Sequence, residues 1–319
     1  MASPETVEID GQYRVLREGA GLLDRSERTM LLVEGGDAAE YLQGQLTNDV
    51  EALAPGEGCY AALLDRKGRM QADLRVLRLA DDAVWLDTEP TGGPALRRHL
   101  DRYRVGREVE LHDLSDRRAL LALIGPAAPV LAGGGPLGAE HSHREVELDG
   151  VSAIAVATDL GADLICEAAD RARLRDALVA AGAEEIGLEA AEIARVESGR
   201  PRFGAEMTEE TIPEEAGINE RAVSFTKGCY IGQETVARLH YKGKPNRRLR
   251  GLRLDRPAAP GEPIVLGERQ LGTVGTAVVS PALGPIGLAI VRREAAPGDR
   301  VVVGDGVGAE IVELPFADA

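Results

Sequence analysis

The sequence predicts an α+β fold, because strand and helix patterns alternate over its first two thirds and short strands alone follow. The chain has 319 residues, which exceeds the usual span of one compact core and predicts two or three structural units. We place the boundary where the helical patterns stop, between an N-terminal region, residues 1–245, and a C-terminal domain, residues 246–319.

The N-terminal region shows the strand-helix arrangement three times. Residues 30–33 read as a strand, followed by a helix over 37–46 that Asp37 caps with its side chain. The second copy is a strand over 119–124 with a short helix to Leu131. In the third, strands at 151–156 and 164–165 precede a helix whose apolar residues have helical spacing before Gly182.

The C-terminal domain contains only short strands separated by glycine, proline and aspartate turns. The predicted strands are 252–254, 264–266, 273–279, 287–291, 301–303 and 311–314. Six short strands of this kind predict a small antiparallel barrel, with a bend at Gly272–Gly275.

The charge of the chain limits its partners. A formal net charge of -16 disfavours nonspecific attraction to nucleic acid or an anionic membrane, and aromatic residues for base stacking make up only 3%. Residues 238–250 form a basic strip of six lysines and arginines without an acid. The strip fits either a small or extended anionic ligand or a solvated strand edge.

No apolar run approaches the roughly 20 residues of a membrane-spanning helix, and the N-terminus lacks the pattern of a secretion signal. We therefore expect a cytoplasmic protein without a membrane partner.

Three cysteines are too few for a disulfide framework or for an iron-sulfur cluster held by this chain alone. Cys59 and Cys166 read as packed small residues. Cys229 lies between Gly228 and Gly232, next to Lys227 and a helix predicted over 233–239. It is either a buried, inert cysteine in a tight turn or a reactive thiolate favoured by the lysine and the first helix amides.

Residues 227–234 read Lys-Gly-Cys-Tyr-Ile-Gly-Gln-Glu, and this segment resembles the signature of the YgfZ-type folate-binding proteins, relatives of the glycine cleavage T-protein. Residues 42–50, 67–74, 195–207 and 212–216 are similar to other family segments in the expected order. The resemblance implies a three-lobed T-protein-like fold. Two interleaved α+β lobes would surround a central folate channel, with a C-terminal antiparallel β-barrel. The implied cofactor is tetrahydrofolate or a one-carbon-substituted folate.

Two carboxylates are the main candidates for chemistry. Asp73 lies on the polar face of a hairpin strand that by pattern alone is half-exposed, whereas the resemblance implies that it faces the reactive nitrogens of tetrahydrofolate and passes a proton. Glu197 ends a helix over 188–198. It is either a surface glutamate compensated by Arg195 or Arg200 or, as the resemblance implies, the carboxylate that grips the pterin ring.

The remaining candidates are weaker. Asn48 and Asp49 form either a turn or part of the folate cleft, and His240 and Tyr241 either stack on the aminobenzoyl-glutamate tail or are solvated. The motif residues assigned to cofactor binding are Lys227, Tyr230, Gln233 and Glu234. The His141-Ser142-His143 segment has no third ligand nearby, so we interpret it as a polar loop and predict no metal site.

Two functions follow from the resemblance. The first is a folate-binding accessory protein for assembly, maintenance or repair of iron-sulfur enzymes, in which Cys229 acts on a client or assembly protein. The alternative is a tetrahydrofolate-dependent aminomethyltransferase or methyltransferase of the T-protein type, assisted by Asp73. A nucleic-acid binder that uses the basic strip is disfavoured by the net charge.

Overall fold

The computed structural model describes residues 4–316, which form two compact units. The first unit comprises the described residues through Leu63, then Gln71–Ala191 and Arg221–Ile231. The second comprises Leu64–Met70, Glu192–Glu220 and the residues from Gly232 onward. The predicted division between residues 245 and 246 stays a prediction.

The predicted α+β fold class is confirmed by the elements, numbered in chain order. The helices are α1 Pro4–Glu18, α2 Ala38–Gln45, α3 Gly93–Tyr103, α4 Ala128–Leu131, α5 Arg171–Ala180, α6 Leu188–Glu197, α7 Asn219–Ala222 and α8 Gln233–Lys242. The strands are β1 Gly21–Asp24, β2 Thr29–Glu34, β3 Gly58–Leu64, β4 Met70–Ala80, β5 Ala83–Thr88, β6 Glu110–Asp113, β7 Arg118–Ile124, β8 His143–Leu148, β9 Val151–Thr158, β10 Gly161–Glu167, β11 Glu184–Glu185, β12 Arg247–Leu254, β13 Pro263–Leu266, β14 Arg269–Thr273, β15 Thr276–Ser280, β16 Gly284–Arg292, β17 Arg300–Val303 and β18 Val307–Val312. None of the helices within residues 4–316 is long and apolar enough to cross a membrane.

Two sheets build the first unit. One has the strand order β3-β4-β5-β2-β6, and the other has the order β11-β1-β7-β10-β9-β8. Apolar side chains on one face of each sheet pack with helices into separate cores, centred on Leu42, Leu74 and Leu86 in the first and on Leu121 and Leu164 in the second.

Strand β4 is buried on both faces, so the prediction of a half-exposed strand is wrong. Its apolar face joins the first core, as the alternation predicts. Its polar face is covered by the second sheet, because Nη1 of Arg75 lies 2.6 Å from Oδ2 of Asp163 on β10. A local pattern cannot show which face another sheet covers.

Helix α2 forms as predicted, but Asp37 does not cap it with its side chain. Oδ2 of Asp37 instead accepts a hydrogen bond from the backbone N–H of Glu108, at 2.9 Å. The carboxylate therefore joins the helix start to a distant loop.

The second unit contains a seven-stranded antiparallel sheet, ordered β14-β13-β17-β18-β12-β16-β15 and curved as a half-barrel. Its core is formed by side chains such as Leu252, Ile264 and Ile311. The strand predicted over 273–279 is broken into β14 and β15 at the predicted bend. A Cβ on Gly272 would lie 2.7 Å from the carbonyl oxygen of Ile290, so the chain approaches β16 too closely there for a side chain.

Candidate active site

Asp73 is a buried carboxylate in which one oxygen accepts a hydrogen bond and the other has no hydrogen-bond partner among residues 4–316. Oδ2 accepts a hydrogen bond from the hydroxyl of Tyr60 on β3, at 2.8 Å. Oδ1 is also buried and has no hydrogen-bond partner among residues 4–316. Burial and the negative charge of Glu89 raise the pKa of Asp73 to about 6, against the Tyr60 hydrogen bond and the charge of Arg28. The group can therefore exchange a proton near neutral pH.

An ion-pair network beside Asp73 joins the middle of β4 to the end of β5 and to the residue before β2. Arg28 pairs with Asp87 at 2.8 Å and with Glu89 at 2.5 Å, and Nε of Arg75 lies 2.8 Å from Asp87. Burial alone would raise the pKa of Asp87, but the guanidinium groups of Arg75 and Arg28 outweigh burial and hold that pKa at about 2. Asp87 thus remains ionised, and the network is rigid support for Asp73.

The sequence reading did not assign Tyr60, Arg28, Arg75 or Glu89 to the site. Arg75 could have been found, since it follows Asp73 by two residues on the same strand face. Tyr60, Arg28 and Glu89 come from other strands, and no local pattern marks them.

Asn48 ties this site to the segment that carries Arg221. Its Nδ2 donates to the carbonyl oxygens of Tyr60, at 2.8 Å, and Arg221, at 2.9 Å. Oδ1 of Asn48 accepts the backbone N–H of Asp49, whose own carboxylate accepts from Gln43 and Ala52. The pair therefore forms a turn, and that turn braces the backbone around Tyr60.

Lys227 anchors the Cys229 segment to α2. Its ammonium donates to the carbonyl oxygens of Gln43, Leu46 and Asn48, at 2.6, 2.7 and 2.8 Å. Burial lowers the pKa of Lys227 to about 8, which leaves a charged group with three donors at neutral pH.

Carbonyl oxygens at the helix end engage the ammonium of Lys227, and its effect on the Cys229 thiol stays a prediction. The charge of Lys227 also acts on Cys59, where it opposes the burial that raises the pKa of that thiol to about 12. Tyr230 is buried, with its ring centroid 5.2 Å from Nζ of Lys227. Cys229 itself is exposed, so the prediction of a buried cysteine is wrong, while its reactivity stays a prediction.

Glu197 lies at the end of α6 in the second unit and is only 4% exposed, so the prediction of a surface glutamate is wrong. Its Oε1 accepts a 2.5 Å hydrogen bond from the hydroxyl of Ser280. Arg195 pairs with Glu192 at 2.9 Å and with Glu206 at 3.1 Å. The sequence gives no sign of Ser280, because 83 residues separate it from Glu197.

Helix α8 carries four of the predicted residues. Gln233 and Glu234 open it, as predicted, but the helix continues to Lys242 rather than ending at Leu239. His240 and Tyr241 are exposed in its last turn, with ring centroids 4.9 Å apart. Their contact with a folate tail stays a prediction.

Acids from elsewhere partly neutralise the basic strip. Arg247 lies 2.9 Å from Glu215, and Arg250 lies 3.2 Å from Glu313. The strip is therefore less cationic than its sequence indicates. Among the described residues, no group of three or more histidine, cysteine or acidic side chains could hold a metal ion.

Comparison with known proteins identifies the family. Residues 5–227 match the model of the GCVT N-terminal domain, and residues 247–318 match that of the glycine cleavage T-protein C-terminal barrel domain. The chain belongs to the glycine cleavage T-protein family. The T-protein-like fold is thus confirmed, whereas the narrower YgfZ-type assignment is not shown.

Several T-proteins resemble the chain along almost its whole length. The aminomethyltransferase of Rubrobacter xylanophilus is 32% identical, over 97% of this chain and 86% of that protein. The aminomethyltransferase of Geobacillus thermodenitrificans is also 32% identical, over 97% of this chain and 90% of that protein. The crystal structure of glycine cleavage system aminomethyltransferase T from Bartonella henselae shares the fold, with a TM-score of 0.87 at 24% identity, over 97% of this chain and 90% of that one.

Aminomethyltransferases of the T-protein family use tetrahydrofolate, which is the cofactor predicted from the sequence. The free, buried Oδ1 of Asp73 suits such a ligand, since it can accept a hydrogen bond from a nitrogen or a proton released there.

Proposed function

We propose that the protein is a tetrahydrofolate-dependent transferase of the T-protein type, which moves an aminomethyl or methyl group with the help of Asp73. The observation that carries this proposal is the carboxylate of Asp73, buried, fixed at one oxygen by Tyr60 and free at the other. The names of the relatives support the same function. We also propose that the protein is cytoplasmic.

Two carboxylates, Asp73 and Glu197, have different roles toward the cofactor. Tetrahydrofolate, when bound, supplies the nitrogens that take up a one-carbon unit. Asp73, with a pKa of about 6, accepts a proton from a reacting nitrogen, and the Tyr60 hydroxyl keeps its carboxylate oriented. In the second unit, Ser280 orients the carboxylate of Glu197, which suits the paired N–H donors of a pterin ring.

Activity is tested by incubating the protein with tetrahydrofolate and an aminomethylated lipoyl carrier, with ammonia release as the readout. We expect folate-dependent release that falls by roughly two to four orders of magnitude in Asp73→Asn, the usual range for a lost general acid or base. Asp176→Asn, on the exposed surface of α5, is the matched control. Equal rates for the two variants would exclude the role of Asp73.

Binding is tested separately by calorimetric titration with tetrahydrofolate. We expect Glu197→Ala to weaken binding more than Asp73→Asn, because a bidentate carboxylate contact contributes to affinity in the ground state. A wild-type protein that does not bind tetrahydrofolate would contradict the proposed function.

A second candidate is the accessory role toward iron-sulfur enzymes, favoured by the exposure of Cys229. Cys59 is partly buried and Cys166 is buried, so Cys229 is the accessible thiol, and Lys227 holds its segment in place. We expect Cys229→Ala to lower iron-sulfur enzyme activities in cells and Cys59→Ala to leave them intact. Full activity with Cys229→Ala would remove this candidate and leave the transferase untouched.

A further inference from the structure

His141 lies in the first unit and has a backbone conformation that non-glycine residues rarely adopt. Its φ angle is 70°, in the left-handed region, where strain is tolerated when the surrounding structure enforces it. The backbone N–H of His141 donates to the carbonyl oxygen of Ala157 at 2.8 Å, and that of His143 donates to Gly56 at 2.8 Å. The backbone is therefore fixed at both histidines.

His141 and His143, which begins β8, have opposite surroundings. The ring nitrogens of His143 lie 3.2 Å and 3.1 Å from the carbonyl oxygens of His141 and Arg78, so that ring has protein partners on both sides. Both ring nitrogens of His141 are buried, and neither has a hydrogen-bond partner within residues 4–316, although Nε2 lies 3.6 Å from a carboxylate oxygen of Glu140. A buried polar atom without a partner costs roughly 1–3 kcal/mol, so the ring of His141 is not explained by stability.

Two arginines near His141 also carry unused N–H groups. Arg75 bonds to Asp87 and Asp163 through Nε and Nη1, while its Nη2 is buried without a partner. Arg221 bonds to Glu140 through Nη2, while its Nε is buried without a partner. Burial and the charges of Arg75 and Arg221 lower the pKa of His141 to about 3, so its imidazole is neutral.

Arg221 is linked to Asp73 through Tyr60. The guanidinium carbon of Arg221 lies 5.1 Å from the ring centroid of Tyr60, whose hydroxyl holds Asp73. Asp73, Arg75, His141 and Arg221 thus each carry at least one buried polar atom without a hydrogen-bond partner among the described residues. Glu140 links His141 to Arg221, because its carboxylate lies 3.6 Å from Nε2 of His141 and pairs with Arg221. Such a concentration indicates a ligand more readily than a packing fault.

We propose that His141 is a ligand-binding residue of the Asp73 site, where its imidazole and the open N–H groups of Arg75 and Arg221 bind a neutral carbonyl group of tetrahydrofolate. A neutral acceptor suits the two arginines, because carboxylates already pair with each of them and balance their charge. This inference rests on the proposed function.

The test uses protein labelled with ¹⁵N in its five histidines, titrated with tetrahydrofolate. We expect the ring-nitrogen resonances of His141 to shift on binding and those of His143 to stay. His141→Asn keeps a residue that tolerates a left-handed backbone. We expect it to weaken binding roughly tenfold, the effect of one lost hydrogen bond, while its thermal midpoint is unchanged or raised. Ser142→Ala is the matched control in the same loop and should bind as wild type does.

Three results would overturn the inference alone. Wild-type binding without a shift of the His141 resonances would leave a buried water as the partner of the ring. Equal affinities of His141→Asn and Ser142→Ala for tetrahydrofolate would exclude a contact between His141 and the ligand. If His141→Asn loses thermal stability as well as affinity, the weaker binding would come from a damaged fold and not from a lost contact. If the wild-type protein does not bind tetrahydrofolate, the inference and the proposed function fail together.

Discussion

Asp73→Asn should stabilise the protein at neutral pH while it impairs function. The pKa of Asp73 is about 6 in the folded protein against the usual 3.8, so the fold prefers the protonated carboxyl. The stability from this preference is complete below the unfolded pKa and is lost as pH rises through the folded pKa. The loss amounts to about 3 kcal/mol for a difference of about two pKa units.

The assay is urea unfolding followed by the fluorescence of Trp85, the chain's single tryptophan, buried on β5 in the same unit as Asp73. Asparagine keeps an oxygen for the Tyr60 hydroxyl but does not titrate. From about pH 4.5 to about pH 7, wild type should therefore lose about 2 kcal/mol relative to Asp73→Asn. Asp176→Asn serves again as the control.

A free-energy difference between wild type and Asp73→Asn that stays constant with pH would refute the reasoning, because it would mean that the pKa of Asp73 is not raised. A wild type that gains stability with rising pH would show an ion pair that favours the charged carboxylate. In either case Asp73 would be ionised throughout and poorly matched to proton transfer near neutral pH.

Three further changes test the supports of the site. Lys227→Met removes three hydrogen bonds to backbone carbonyls and should lower the unfolding free energy by roughly 3 kcal/mol in urea titrations, whereas a change near zero would show that water replaces the ammonium. Gly232→Ala should lower the free energy of unfolding by roughly 2 kcal/mol or more, because the φ angle of Gly232 is 86° and an added Cβ would lie 2.5 Å from a backbone oxygen. Gly228→Ala is the control and should leave the thermal midpoint unchanged, because an added Cβ there would have no atom of the described residues within 4 Å. Ser280→Ala should weaken tetrahydrofolate binding roughly tenfold, because it removes the hydrogen bond that orients the carboxylate of Glu197. An unchanged affinity in calorimetry would show that Ser280 does not orient this carboxylate for binding.

Much of the fold was predictable because its signals are local. Alternating apolar residues placed most strands, and the helical spacing before Gly182 placed α5. The errors fall where distant segments meet. Asp37 bonds to a loop residue 71 positions away instead of capping α2, and β14 separates from β15 where Gly272 approaches β16.

The candidate site was predictable only in part, for the same reason. Motif residues such as Asp73, Glu197 and Cys229 could be singled out, since they lie in segments that resemble a family. Tyr60 and Ser280 could not, because their significance depends on contacts made after folding.

The sequence by itself determined the α+β class, the barrel-like C-terminal strands and the carboxylates worth testing, because periodicity, turn residues and short motifs are properties of neighbouring residues. Only the tertiary structure decided which side chains are buried, which hydrogen bonds and ion pairs they make, and which buried polar atoms have no hydrogen-bond partner. It showed that Lys227 binds carbonyl oxygens at the end of α2. It also showed that His141, which the sequence places in a polar loop, has buried ring nitrogens available for a ligand. Burial and pairing depend on surfaces brought together from distant parts of the chain, and those surfaces set the pKa of Asp73.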